Sequence, residues 1–125
     1  MTKAGILWLA MASQMRRGEI FFANLNPTVG SEINKRRPVL IVSNDANNRA
    51  ANTVTILPLT SNVARVYPFE VALSPKESGL PKPSKALAQQ IRTIAKARLQ
   101  GDRVGRLDAT IMQKVDTAMR LHLAL

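Results

Sequence analysis

The chain of 125 residues contains no cysteine, a single histidine, and only five aromatic residues, namely three Phe, one Tyr and one Trp. Without cysteine it forms neither disulfides nor thiolate metal sites, and it tolerates a reducing compartment. The lone His122 excludes acid–base catalysis by a histidine pair, and the eight acidic residues are too scattered for metal-ligand spacing. No glycine-rich phosphate loop is present, so we predict no metal site and no cofactor.

Acidic residues are also few in proportion, since 18 Lys and Arg stand against 8 Asp and Glu, which gives a formal net charge of +10. So large an excess on a small chain favours a polyanionic partner, and a phosphate backbone is the usual one. The hydrophobic share of 46% is too high for a disordered chain. The length suits one domain with one core.

The first 14 residues differ from the rest of the chain. They carry an apolar run over residues 6–12 that ends in an Ala-x-Ala pattern, Ala10 to Ala12. This run resembles a very short export signal, but it has a single preceding lysine and is far too short to span a bilayer. We predict that residues 1–14 are an N-terminal extension outside the fold, and that residues 15–125 form the domain.

Short β-prone segments dominate the middle of the chain and a helical pattern ends it. The expected elements are strands at 19–25, 38–43, 53–59 and 69–73, a helical turn within 44–52, and a long surface loop at 74–85. Pro38 fits only at the start of its strand or on a sheet edge. Residues 86–95 fit both a helical and a strand period, and periodicity does not separate them.

The last segment predicts an amphipathic helix. Asp108 is a candidate N-cap, and the apolar stripe that follows consists of Ile111, Met112, Val115, Met119 and His122. Several short strands followed by one such helix predict a mainly β fold, a small β barrel closed by a C-terminal helix.

A basic cluster, Lys35 to Arg37, precedes one apolar strand, and the hydroxyl residue Thr60 ends the next. A guanidinium offers a planar fork of donors and a hydroxyl adds another, so this pair of strand ends can clamp a phosphate. On composition and spacing alone, a nucleic-acid site and an ordinary solvated strand end are equally supported.

Seven short motifs occur in a characteristic order. They are Met15–Ile20 (MRRGEI), Asn24–Pro27 (NLNP), Gly30–Glu32 (GSE), Arg37–Asp45 (RPVLIVSND), Leu59–Asn62 (LTSN), Gln90–Ile94 (QIRTI) and Leu121–Leu125 (LHLAL). Each motif alone is weak. Together they resemble the MazF/PemK family of toxin endoribonucleases, the mRNA interferases of type II toxin–antitoxin systems, over residues 15–125.

The resemblance implies an SH3-like β barrel with a C-terminal helix, the fold of the PemK/MazF/CcdB-like plasmid toxins, and it favours strand over helix for residues 86–95. It implies a cytoplasmic homodimer that cleaves single-stranded RNA, usually mRNA, in a sequence-specific and metal-independent way. The products are a 2′,3′-cyclic phosphate and a 5′-hydroxyl, and the consequence is inhibited translation and growth. A cognate antitoxin blocks the RNA groove, and no membrane is involved.

Carried over residue by residue, the resemblance implies that Arg37 and Thr60 are catalytic and that Glu32 is a candidate catalytic or positioning residue. The residues expected to contact RNA are Ser31, Lys35, Arg36, Ser43, Asn44, Ser61, Asn62, Gln90 and Arg92. Many relatives carry Gln where Ser43 stands, and the segment 33–36 varies among them, so the RNA sequence preference is left open. The rival classes are a gyrase-poisoning toxin of the same fold and a non-catalytic RNA-binding barrel.

Overall fold

The computed structural model describes residues 15–33 and 35–125, so the predicted extension, residues 1–14, lies outside the described residues. Three helices, α1 (Asp45–Ala50), α2 (Pro75–Ser78) and α3 (Ala109–Leu123), accompany the strands. The strands are β1 (Glu19–Asn24), β2 (Arg36–Ile41), β3 (Thr53–Thr60), β4 (Glu70–Leu73), β5 (Ser84–Leu87), β6 (Arg92–Ala95) and β7 (Leu99–Arg106). Over these two ranges, no helix is long and apolar enough to cross a membrane.

The strands form one antiparallel sheet in the order β4-β5-β3-β2-β1-β7, with β6 paired to β3 beside this path. β3 therefore has two partners on one side: its first half pairs with β6 and its end pairs with β5. Among the described strands, β4 and β7 are not paired with each other. The fold is mainly β with a C-terminal helix, as predicted, but the sheet is not closed into the expected barrel.

Apolar residues cover both faces of the sheet. On one face, Leu40, Leu57 and Leu59 pack with the buried stripe of α3, which includes Ile111 and Val115. This stripe confirms the predicted helix, and the side chain of Asp108 caps it by accepting from the N–H of Ile111 at 2.9 Å. His122 is exposed on the last turn, beyond the buried residues, and its ring centroid lies 6.5 Å from that of Phe69.

On the opposite face, a second cluster of buried side chains includes Val39, Ile41, Val54 and Ile56. We call this side of the sheet the site face. The segment between β1 and β2 folds over it, because Ile33 packs against the cluster.

The ladder between β2 and β3 is short. Its residue pairs run from Ile41 and Ile56 to Val39 and Pro58. Beyond that point the two strands continue with other partners, since Arg36–Pro38 pairs only with β1 and the end of β3 pairs only with β5. Pro38 has no backbone N–H to donate toward β3, which fits the end of the ladder at this place.

Two parts of the chain differ from the sequence-based prediction. The segment 74–85 is not a long surface loop, because it contains α2 and the first residues of β5 and buries Leu80. Ser74 and Glu77 form a reciprocal capping box that starts α2, a signal present in the sequence but overlooked. β7 was not predicted at all, since its eight residues carry mainly polar or small side chains and show no apolar alternation.

α2 approaches β7 so closely that no side chain fits between them. A Cβ on Gly105 would lie 2.1 Å from the carbonyl oxygen of Ser78, and one on Gly79 would lie 2.4 Å from that of Val104. Gly79 also has a φ of +80°, in the left-handed region that favours glycine. Both glycines are therefore required for this contact.

Candidate RNA-cleavage site

Arg37 and Thr60 lie on the two sides of the opening where β2 and β3 separate. The last pair of the ladder is Val39 and Pro58, and Arg37 and Thr60 each lie two residues beyond it on their own strands. Directly opposed residues of an antiparallel pair share a face. Arg37 pairs with Ala23 of β1, and Thr60 pairs with Lys85 of β5, so all four belong to the site face. Arg37 is exposed and Thr60 is half-buried.

The segment that carries Glu32 lies above the same face and is fixed by hydrogen bonds. The Ile33 N–H donates to the Gln90 side-chain oxygen at 2.8 Å, which ties this segment to the turn before β6. The carboxylate of Glu32 accepts from the Val29 N–H at 3.2 Å. The Lys35 N–H donates to the Asn26 side chain at 3.0 Å, and Lys35 has a positive φ of 64°. Ser31, Glu32 and Lys35 are all exposed.

Arg92 and Arg36 occupy different faces. Arg92 pairs with Ile56 on the site face and donates to the Leu25 carbonyl at 3.2 Å, below the segment that carries Glu32. Arg36 is the neighbour of Arg37 along β2, and successive strand residues point to opposite faces. Its guanidinium lies 4.0 Å from the centroid of the Phe22 ring, and its Nε donates to Gln100 at 2.9 Å. The structure therefore does not bring Arg36 together with Arg37.

Ser43 and Asn44 lie past the other end of β2, and six residues of extended chain separate Ser43 from Arg37, about 20 Å. The Ser43 hydroxyl donates to Asn48 at 2.5 Å and accepts from the Thr55 N–H at 3.0 Å. Asn44 is the N-cap of α1 and accepts from the Asn47 N–H at 2.8 Å. Both residues thus fix the junction of β2, α1 and β3, and RNA contact by either one stays a prediction.

Replacing Ser43 by alanine should lower the free energy of unfolding while changing the rate of RNA cleavage little. The substitution removes two hydrogen bonds and leaves the oxygen of Asn48, a fully buried side chain, without its hydroxyl donor. An unsatisfied buried group costs about 1–3 kcal/mol. We expect a loss of this size in the free energy of unfolding measured with urea. Ser61→Ala, which alters an exposed side chain, is the control; equal losses in both variants would contradict this role of Ser43.

Past Thr60 the chain forms a long, largely exposed loop over residues 61–69. Its first turn is closed by the Asn62 N–H, which donates to the Thr60 hydroxyl at 3.2 Å. Ser61 and Asn62 are exposed at this turn and lie beside the opening. The Thr60 oxygen thus keeps its own proton available for donation, since it accepts in this bond.

A buried ion pair holds the far end of this loop. Glu70 and Lys85 pair at 2.9 Å, with only 3% and 11% of their side chains exposed. The Lys85 ammonium also donates to the Arg65 carbonyl at 2.6 Å. Glu70 accepts two further hydrogen bonds, from the Tyr67 N–H at 2.9 Å and from the Gln89 amide at 2.7 Å. We call Glu70, Lys85 and Gln89 the buried polar network.

The charge of Glu70 is stabilised in the folded protein. Burial raises the pKa of this carboxyl, but the hydrogen bonds from Tyr67, Lys85 and Gln89 and the positive charge of Lys85 together outweigh it. The pKa therefore lies below the ordinary value of 4.5, and the carboxylate is ionised at neutral pH.

Sequence reasoning did not find the buried polar network. Lys85 was predicted to lie in the loop 74–85, and Glu70 in the strand 69–73. One signal was available: a charged residue in each of two short apolar strands predicts a buried pair if the strands are neighbours. Their pairing was not predictable from local pattern, because 15 residues separate them along the chain.

The sequence of this chain is similar to those of known proteins. Residues 16–123 match the family described as PemK-like, MazF-like toxins of type II toxin–antitoxin systems. The chain belongs to this family. Endoribonuclease MazF9 of Mycobacterium tuberculosis (strain ATCC 25618 / H37Rv) is 47% identical over 116 residues, which cover 89% of this chain and 98% of that protein. Endoribonuclease EndoA of Bacillus subtilis (strain 168) is 40% identical over 112 residues, covering 89% and 96%.

Among solved structures, a mycobacterial endoribonuclease in complex with its cognate antitoxin resembles this PemK/MazF-family chain with a TM-score of 0.74. The sequence identity is 32%, and the alignment covers 89% of this chain and 96% of that one. The predicted family and the mainly β fold with a C-terminal helix are confirmed. Within residues 15–33 and 35–125, no group of three or more His, Cys, Asp or Glu residues is placed to hold a metal ion.

Proposed function

We propose that this chain is the toxin of a type II toxin–antitoxin system and that it acts as an endoribonuclease on single-stranded RNA. Two relatives that match nearly their whole length to it are named endoribonucleases. The observation that carries the proposal within this chain is that Arg37 and Thr60 each lie two residues past the last pair between β2 and β3, on the site face. The net charge of +10 suits a polyanionic substrate.

The proposed reaction is a transesterification within the RNA. The 2′-oxygen of the nucleotide on the 5′ side of the scissile bond attacks the adjacent phosphorus, and the bond from phosphorus to the 5′-oxygen breaks. The 2′-hydroxyl loses a proton and the departing 5′-oxygen gains one. The products are a 2′,3′-cyclic phosphate and a 5′-hydroxyl, and we propose that no metal ion takes part.

Arg37 and Thr60 act on the phosphate in this proposal. Negative charge gathers on the non-bridging oxygens in the transition state, where the fixed guanidinium of Arg37 stabilises it. The Thr60 hydroxyl donates to one of these oxygens and holds it in place. Arginine keeps its proton at neutral pH, so it donates toward the leaving oxygen more readily than it acts as a free base. Glu32 is the proposed acceptor of the 2′-proton, after release of its bond to the Val29 N–H.

The remaining features of the proposal concern recognition and partners. Ser31, Lys35, Ser61, Asn62, Gln90 and Arg92 are proposed to contact RNA beside Arg37 and Thr60, and Arg36, Ser43 and Asn44 to contact its flanks. We further propose a cytoplasmic homodimer with an SH3-like arrangement of its strands, inhibition of translation and growth by mRNA cleavage, and control by a cognate antitoxin. The antitoxin complex of the 32% identical mycobacterial endoribonuclease supports this last point.

Product analysis tests the proposal directly. The purified protein is incubated with single-stranded RNA, with and without excess chelator, and the fragment ends are identified by mass spectrometry. We expect cyclic phosphate and 5′-hydroxyl ends in both conditions. A matched oligonucleotide with 2′-deoxyribose on the 5′ side of the cleaved bond should give no product, because its attacking oxygen is missing. RNA binding without product would instead identify a non-catalytic RNA-binding protein, and cleavage of the deoxy substrate would exclude this reaction.

A further inference from the structure

The loop after Thr60 carries the only tyrosine of the chain, and the structure presents it in an ordered arrangement. The rings of Tyr67 and Phe69 are stacked with centroids 5.4 Å apart and an interplanar angle of 7°. Tyr67 remains 42% exposed, so an apolar ring surface of this loop faces solvent. The neighbouring Phe69 carbonyl accepts from the Ala88 N–H at 3.2 Å, which attaches this part of the loop to the turn after β5.

Cations surround the Tyr67 ring. The Arg65 guanidinium lies 5.7 Å from the ring centroid and donates to the tyrosine hydroxyl at 3.0 Å. The ammonium of Lys85 lies 6.0 Å from the same centroid. An aromatic ring flanked by positive charge matches a nucleotide, which brings a flat base and a phosphate together.

Hydrogen bonds fix the backbone on both sides of this ring. Before it, Lys85 holds the carbonyl of Arg65 and the Glu70 carboxylate holds the N–H of Tyr67; after it, the Glu70 N–H donates to the Tyr67 carbonyl at 2.9 Å. The ring is therefore ordered before any ligand binds, so binding carries no conformational-entropy cost for ordering the loop. Lys85 is also the strand partner of Thr60, so a single side chain separates the Tyr67 ring from the proposed catalytic threonine.

We propose that Tyr67 is a base-stacking residue for single-stranded RNA, with Arg65 beside it as a contact for the backbone phosphate. The stacked base belongs to a nucleotide next to the cleaved bond, on the Thr60 side of the opening. This inference rests on the proposed function, and it adds a contact that orders the substrate rather than one that takes part in bond cleavage. Stacking on a ring tolerates every base, so Tyr67 strengthens binding without reading sequence by hydrogen bonds.

Binding and cleavage are measured separately to test this. The non-cleavable oligonucleotide, with 2′-deoxyribose at the cleavage position, carries 2-aminopurine at successive positions on either side. Stacking on Tyr67 should quench its fluorescence at one or two adjacent positions in the wild-type protein. Tyr67→Ala should abolish this quenching and raise Kd about 5- to 150-fold, as expected for loss of one stacked base. The rate of cleavage in the saturated complex should change much less than Kd.

Three further variants show whether the effect of Tyr67→Ala comes from loss of the aromatic ring. Tyr67→Phe retains the ring and should keep quenching and affinity within about threefold. Val66→Ala removes an apolar side chain of similar exposure, 44%, and should leave both unchanged. Arg65→Ala should weaken binding and reduce its dependence on salt. Thermal melting of each variant reports whether the fold is kept.

The outcomes distinguish this inference from the proposed function. Unchanged quenching and Kd in Tyr67→Ala, with wild-type cleavage intact, would overturn the stacking role alone. Unchanged RNA affinity combined with lost self-association in sedimentation would assign Tyr67 to a contact between two copies and would also overturn it. If the wild-type protein binds the oligonucleotide with quenching but cleaves no RNA, the proposed function fails while the stacking contact stands.

Discussion

Replacing Arg37 by alanine should reduce RNA cleavage in the saturated complex by about 10²- to 10³-fold, the usual loss when one donor to a developing oxyanion is removed. The transition state loses a fixed positive charge that the ground state needs much less, so kcat falls more than affinity. Single-turnover cleavage of a labelled RNA, measured with protein in excess, reports this rate. Binding is measured in parallel with the non-cleavable deoxy oligonucleotide.

Arg36→Ala is the matched control for charge. It removes the adjacent guanidinium of the same strand, which contacts Phe22 and Gln100 on the opposite face. We expect it to weaken RNA affinity and to reduce the salt dependence of binding, with the single-turnover rate changed less than about threefold. Equal rate losses in the two variants would show that net charge, not the position of Arg37, supports cleavage.

Breaking the buried polar network should have the largest effect on stability. Lys85→Met leaves the carboxylate of Glu70 buried without its cation, and loss of one partner from a buried pair costs about 3–5 kcal/mol. Urea unfolding at neutral pH measures this loss. The double variant Glu70→Gln/Lys85→Met removes both charges and should be less destabilised than the sum of the two single variants. Strict additivity would contradict direct coupling between the two side chains.

The same pair predicts a pH dependence. Because the folded protein holds the pKa of Glu70 below its ordinary value of 4.5, the ionised carboxylate adds stability at pH values above 4.5. This contribution is lost as the pH falls through the lowered pKa of the folded state. The stability difference between wild type and Glu70→Gln should therefore be full at pH 7 and shrink below pH 4.5. A difference that stays constant down to pH 3 would contradict this origin.

The sequence predicted those strands and helices that have a clear local pattern of apolar and turn residues. Glu19–Asn24 and Thr53–Thr60 are β-prone runs bounded by turn residues, and both form strands close to the expected limits. The Asp108 cap and the apolar stripe located α3 in the same way. β7 gave no such signal, because most of its side chains are exposed and its strand conformation depends on pairing with β1. Tertiary pairing decides such a strand.

For the site, the sequence indicated the residue types but not which of them lie together in the fold. The positions of Arg37 and Thr60 at two strand ends predicted a phosphate clamp, the resemblance supplied their catalytic roles, and each lies two residues past the last pair between β2 and β3. The resemblance supplied Gln90 and Arg92, and the structure ties Gln90 to Ile33 above the site face. The sequence did not predict that Lys85 is the strand partner of Thr60, because the two residues are 25 positions apart along the chain.

The short ladder between β2 and β3 joins the strands that carry the two proposed catalytic residues. Arg37 belongs to a half-sheet of β2, β1 and β7, and Thr60 belongs to one of β3, β5 and β4. The ladder between these halves has three residue pairs, from Ile41 and Ile56 to Val39 and Pro58, and the N–H groups of Val42 and Ser43 extend it by donating to the Thr55 carbonyl. The geometry of this junction therefore sets the distance between the two proposed catalytic residues. Substitutions at its buried residues are expected to alter RNA cleavage without any contact with RNA.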